Sequence, residues 1–147
     1  MPEPRDAEIL FSAAQQVLET MFFTSILGER EAPPEEPTLG ARASFHGAPS
    51  GTFGLRLSSG AARAMAGNFL GAEEERELTE AQVGEVVCEM TNMICGAVLS
   101  QVETESAFEI RLPELQPPGE GAEAGATVRS LDLDNGALTM FLSFDKA

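Results

Sequence analysis

LTEAQVGEVVCEMTNMICGAVLSQV, Leu78 to Val102, sets the architecture of the whole chain. It reads as a helix. Thr79 and Gln82 have the spacing of a capping box, in which each side chain answers a free backbone N–H at the other end of the first turn, and Leu78 and Val83 stand where a hydrophobic staple would be. With successive residues about 100° apart, Val83, Val86, Val87, Met90, Met93, Ile94, Ala97, Val98 and Val102 form a broad apolar surface that also takes in Cys88, Cys95 and Leu99. What remains is a narrow polar stripe of Gln82, Glu85, Glu89, Asn92, Gly96, Ser100 and Glu103. On it, Glu89 and Asn92 are neighbours, about 5 to 6 Å apart at Cβ.

A helix apolar over most of its circumference must be covered by the rest of its domain, so the stripe is the part left to solvent. Gly96, one turn beyond Asn92, has no Cβ, and another chain can approach the backbone there at a cost of about 1 kcal/mol in helix propensity. The plainest reading of Glu89 and Asn92 is the solvated edge of a core helix. The pair alone does not decide between that and a working site.

A chain of 147 residues suits one domain, residues 1–147, able to bury about two-thirds of its unfolded surface. Its 24 acidic residues against 9 basic ones repel phosphate backbones and anionic lipid, which disfavours nucleic acid and membrane surfaces as partners. The N-terminal MPEPRDAE has neither the basic region nor the apolar run of a secretory signal, and no 18-residue apolar segment is read elsewhere. A cytoplasmic protein is expected. Cys88 and Cys95 lie about 10 Å apart along one helix, too far for a disulfide, and read as free core thiols. His46 is the only histidine, which excludes a multi-histidine metal site within the chain and leaves Cys88, Cys95 and His46 as a weak candidate, so no metal site is expected.

From Asp6 to Leu27, Ile9 or Leu10, Ala13, Ala14, Val17, Leu18, Met21, Phe22 and Ile26 recur at helical spacing, predicting a long amphipathic helix ended near Gly28. Glu29 to Thr38, with three prolines and four glutamates, reads as a surface connector. Leu39–His46 and Thr52–Leu57 flank GAPSG as a hairpin with a wide turn. Ser58 or Ser59 can then cap a short helix through Ala61, Ala64, Met65, Phe69 and Leu70 that ends at Gly71, followed by the charged loop AEEERE. Beyond the central helix, Ala107–Leu112 alternates Phe108, Ile110 and Leu112 against Glu109 and Arg111, a strand with one buried face stopped by Pro113. QPPGEGAEAG is a loop. Thr127–Leu133 and Leu138–Phe144 form a second hairpin about Asp134-Asn135-Gly136, where Asn-Gly favours a two-residue type I′ turn that sets Leu133 opposite Leu138 and Leu131 opposite Met140. The order α-β-β-α-α-β-β-β, with antiparallel hairpins, indicates an α+β domain with long helices packed on an antiparallel-rich sheet.

The chain resembles the CheC/CheX family of chemotaxis phosphatases, and its single-motif CheX branch in particular. The family signature is a helix with Asp or Ser, three residues, Glu, two residues, Asn, and a proline some twenty residues on. Glu85, Glu89 and Asn92 stand in that spacing, with Glu85 in the place of Asp or Ser, and Pro113 closes the strand FEIRLP. The resemblance extends to the order of elements over nearly the whole chain, so the expected fold is CheC/CheX-like.

What this resemblance implies is removal of the phosphoryl group from the aspartyl phosphate of a response-regulator receiver domain such as CheY. By the same resemblance, Asn92 aligns the attacking water and Glu89 pairs with the receiver's lysine; Glu85, in the place of the family's Asp or Ser, and Gly96, open to close approach, are read as partner-binding positions. Magnesium is then supplied by the receiver, with no cofactor of the chain's own. An Asn suits that part, since it donates and accepts hydrogen bonds without titrating. A single motif copy further implies a homodimer, and an open sheet edge is a template for it. The alternative is a catalytically silent receiver-binding adaptor, or an assembly module like the family's flagellar-switch relatives.

Overall fold

The computed structural model describes residues 4–31, 38–47, 49–72, 77–102, 108–116 and 125–145. Parts of the expected connectors and loops, at 32–37, 73–76 and 117–124, lie outside the described residues, as do Ala107 and Glu103 at the end of the stripe. Helix α1 (Pro4–Met21) opens with a proline, whose fixed φ suits the first helical turn, and lays Leu10, Ala13, Ala14 and Leu18 fully into the core. It does not run on to Leu27. The chain turns at Phe23, whose φ is 51°, while Asn68 donates to the Phe22 carbonyl at 2.9 Å and the Thr24 N–H reaches the Leu18 carbonyl at 3.0 Å. Beyond this turn the chain enters strand β1 (Ile26–Arg30), paired antiparallel with β6 (Thr127–Leu133) through a bulge between Ile26 and Gly28. Ile26 keeps helical spacing with Phe22, but ladder bonds to a waiting edge outweigh a weak local periodicity.

Strands β2 (Thr38–His46) and β3 (Gly51–Ser58) are the first hairpin as expected, and β7 (Gly136–Phe144) completes the second. The sheet order is β1-β6-β7-β3-β2-β4, with β4 (Glu109–Ile110) and β5 (Glu114–Gln116) both on the outer edge of β2, and every pairing is antiparallel. Fold class is as the sequence indicated, with two further short strands, β1 and β5. The second hairpin's register differs from expectation by two residues. Leu133 faces Gly136 and Leu131 faces Leu138, so the turn residues are Asp134 and Asn135, neither with positive φ, and the turn is not type I′. A Cβ on Gly136 would lie 2.3 Å from Ser58 Oγ and 2.7 Å from Ala61 Cβ, and the glycine is needed in the strand for that approach. A shift of two preserves the faces, and Leu131, Leu133, Leu138 and Met140 still point into the core.

Helix α2 (Ser59–Leu70) ends as expected at Gly71, which is left-handed at φ 70°. Ser58 is its N-cap residue but does not cap with its side chain, because that hydroxyl accepts the Ala137 N–H at 3.1 Å, stitching α2 to β7. Helix α3 (Glu80–Ser100) has the full capping box, Gln82 N–H to Thr79 Oγ1 at 3.1 Å and Thr79 N–H to Gln82 Oε1 at 2.8 Å. Contrary to the expectation that no apolar segment is long enough, α3 could cross a membrane by length and composition. In the fold its Val87, Met90, Ile94, Cys95 and Val98 are fully buried at the centre of the core. All three helices pack on the sheet face carrying Phe45, Phe53, Leu55, Leu57, Leu131 and Leu142. Thr91 joins that buried side without cost, because its hydroxyl donates to the Val87 carbonyl at 2.8 Å.

Candidate functional site

The capped start of α3 and its buried apolar arc set the rotation of the helix, and the same rotation sets the stripe. Gln82, Glu85, Glu89, Asn92 and Ser100 are all exposed and Gly96 is half-buried, so the structure brings the predicted site residues Glu85, Glu89, Asn92 and Gly96 together on one ridge. From Glu85 to Gly96 the ridge is about 16 Å long. Among the described residues, Glu85, Glu89 and Asn92 make no side-chain hydrogen bond or ion pair. Two exposed carboxylates and an amide without side-chain partners among the described residues are groups a partner can engage.

Gly84 and Gly96 look alike in sequence and differ in the fold. A Cβ at Gly84 would meet Leu115 Cδ1 at 2.9 Å, so that glycine admits β5 against the helix. At Gly96 the nearest atom is Ile110 Cδ1 at 4.0 Å, and nothing within the described chain requires a glycine there. Ile110 and Leu115 thus both lean on α3, although five residues apart along one strand edge they should point to opposite faces. A bulge resolves this. Arg111 still donates to the Ser44 carbonyl at 2.9 Å and Glu114 already faces Arg42, so Leu112 and Pro113 share the position opposite Ala43. Leu112, expected on the buried face of a strand stopped by Pro113, is instead 90% exposed, and the strand edge resumes past the proline. The signal for it was Leu-Pro itself, since proline interrupts a ladder and is confined to edges and bulges.

Burial raises both thiols of α3, Cys95 up to about 12, which disfavours the reactive thiolate at neutral pH. Among the described residues no three His, Cys, Asp or Glu side chains cluster as a metal site needs, and His46 contacts Arg111, not a cysteine. Two surface hollows, of about 610 and 300 Å³, are lined by Glu29, Arg30 and Val128 and by Leu39, Arg63 and Glu80 respectively. Neither includes Glu89 or Asn92. Exposed polar side chains in a row along a helix suit contact with a macromolecular partner.

Three helices on one face of an antiparallel sheet define a CheC/CheX-like fold. The chain belongs to the CheX family, for the family profile described as chemotaxis phosphatase CheX matches residues 39–123, a span that includes Glu89, Asn92 and Pro113. Among solved structures it is similar to the chemotaxis protein CheX of Vibrio vulnificus (17% identity, TM-score 0.76, 99% of each chain covered). It is similar also to CheX of Desulfovibrio desulfuricans (19%, TM-score 0.72, 96% of this chain and 99% of that one). A third is the CheX–CheY–BeF3–Mg2+ complex of Borrelia burgdorferi (17%, TM-score 0.71, 95% of this chain and 97% of that one). A search of curated protein sequences found no match. At these identities the likeness is one of fold.

Proposed function

We propose that this chain is a phosphatase for the aspartyl phosphate of a CheY-like receiver domain, acting from Glu89 and Asn92 on α3. The observation that carries the reading is that pair: exposed, without side-chain partners among the described residues and mounted on a helix otherwise given to the core. Hydrolysis of an acyl phosphate needs a water in line with the bond from phosphorus to the aspartate oxygen. The water oxygen attacks phosphorus, that bond breaks, and the products are the free carboxylate and inorganic phosphate. Such a reaction is governed by positioning and charge neutralisation. Asn92 reaches into the receiver, and its amide carbonyl accepts a hydrogen bond from the water and aims it without taking a proton. Glu89 supplies a charge-assisted contact to a receiver lysine, which holds the two domains in register. Glu85 and Gly96 extend the contact surface at either end of the ridge. Magnesium, supplied by the receiver's carboxylates, neutralises charge on the phosphoryl oxygens.

In this reading the chain is a cytoplasmic component of a two-component or chemotaxis circuit, and works as a homodimer presenting two ridges. The outward side of β1, an edge strand with Leu27 68% exposed, offers one surface for self-association. Light scattering that reports a monomer at tens of micromolar would remove the dimer from the proposal. The central test is decay of label from a panel of phosphorylated receivers with catalytic amounts of the chain. Multiple turnovers on one of them support the enzyme. Stoichiometric binding with no acceleration supports a silent adaptor in its place.

A further inference from the structure

Leu112 lies on the strand edge that packs along α3. Ile110 against Gly96 and Leu115 against Gly84 pin the two ends of the bulged edge to α3. The spans agree: the five steps from Ile110 to Leu115 cover about 16 Å of strand, and the twelve steps from Gly84 to Gly96 cover about 18 Å of helix. Two-fifths of the way from Ile110, Leu112 therefore lies at the level of Thr91 and Asn92. A lone exposed leucine is ordinary on a protein surface. This one is exposed at a bulge although it alternates with the half-buried Ile110, precedes a proline that favours an extended backbone, and lies level along α3 with an amide and carboxylates that have no side-chain partners among the described residues.

We infer that Leu112 is an apolar docking residue for the receiver domain, setting affinity for that partner and not the rate of hydrolysis; the inference rests on the receiver reading above. A standard interface buries about 800 Å² on each partner, so a domain centred on Asn92 covers the adjoining strand edge as well. The surface it meets is acidic along α3, through Glu85 and Glu89, and apolar at Leu112. The occupant is accordingly a receiver face with a lysine near its phosphorylation site and an apolar patch about one helix-to-strand spacing away.

The test uses Leu112→Ala and Leu112→Asp in the full chain, with the receiver that wild-type protein binds or dephosphorylates best from a panel phosphorylated by a small acyl phosphate with Mg2+. Expected are a KM and a Kd for the beryllofluoride-loaded receiver raised about tenfold by Ala, the change produced by losing about 1.4 kcal/mol of contact, and raised further by Asp. The turnover number at saturation stays within twofold, and the melting temperature is unchanged because the side chain is 90% exposed. Unaltered KM and Kd in both variants overturn the inference while leaving an active phosphatase in place. So does dimer dissociation or lost stability in Leu112→Ala, which would assign the leucine to a second copy of the chain or to the fold. A wild-type chain that neither binds nor dephosphorylates any receiver overturns the receiver reading itself, and this inference with it.

Discussion

Phe141 lies directly across the sheet from Gly54, and its ring fills the place a side chain at Gly54 would need, with Cε2 only 2.1 Å from the position of a Cβ. The contact is on the sheet face away from the helices, where Phe141 is nonetheless only 8% exposed. Gly54→Ala should therefore displace the ring and destabilise the fold by about 1–3 kcal/mol, the usual cost of overpacking. Urea unfolding measures it; an unchanged midpoint would mean the ring moves aside freely.

Gly96→Ala should do the reverse. With nothing nearer than 4.0 Å to the added methyl, the helix gains about 0.8–1 kcal/mol in propensity and the melting temperature rises. If the glycine is there for a partner, the same variant weakens receiver binding or turnover. A variant both more stable and fully active would show that Gly96 has no part in docking.

Asn92→Ala should fold as wild type, dimerise and bind a phosphorylated receiver within about threefold, because no described contact depends on the side chain. Its single-turnover rate at saturating enzyme should fall about a hundredfold, the effect of losing about 2.7 kcal/mol of transition-state stabilisation. Decay equal to wild type would remove Asn92 as the water-positioning group. Glu89→Ala should lose affinity as well as turnover, with stability altered by only a few tenths of a kcal/mol.

Cys95 should be protected from a thiol reagent in the folded chain at pH 8, while half-buried Cys88 is modified slowly. Burial pushes the Cys95 thiol from about 9.0 up to about 12, so the unfolded chain loses this proton more readily than the folded one. The contribution to stability is whole below pH 9.0 and drains away as pH rises towards the folded value. Wild type should thus lose stability faster than Cys95→Ala as pH rises from 9.0 towards about 12 in parallel melts. Parallel curves would show that the thiol is not shielded.

The placement of the candidate site residues on one exposed ridge was legible because it depends on spacing along one helix. Thr79 and Gln82 meet across one turn whatever surrounds them, and the three- and four-residue steps from Glu85 to Gly96 place those residues on one line in any α-helix. The apolar arc required burial, and burial of that arc required the stripe to face out. Gly71 ends α2 in the left-handed region for an equally local reason.

Ile26, Gly136 and Leu112 were decided elsewhere. Ile26 satisfies a helical period, yet β6 offers it ladder bonds that a helix end cannot match. Gly136 belongs to the strand and not to the turn because Ser58 and Ala61 come within 3 Å of its missing Cβ. Leu112 alternates correctly for a buried face, but its proline neighbour and the need to seat both Ile110 and Leu115 on α3 force an extra residue into the edge and turn it to solvent. Periodicity along the chain was enough for the elements whose partners lie a turn away on the same helix, the capped α3 and its exposed pair among them. Strand register, the β1 edge and the bulge beside Asn92 were left to tertiary contacts, because a residue's face in a sheet depends on chain tens of residues distant, and one inserted residue reverses it.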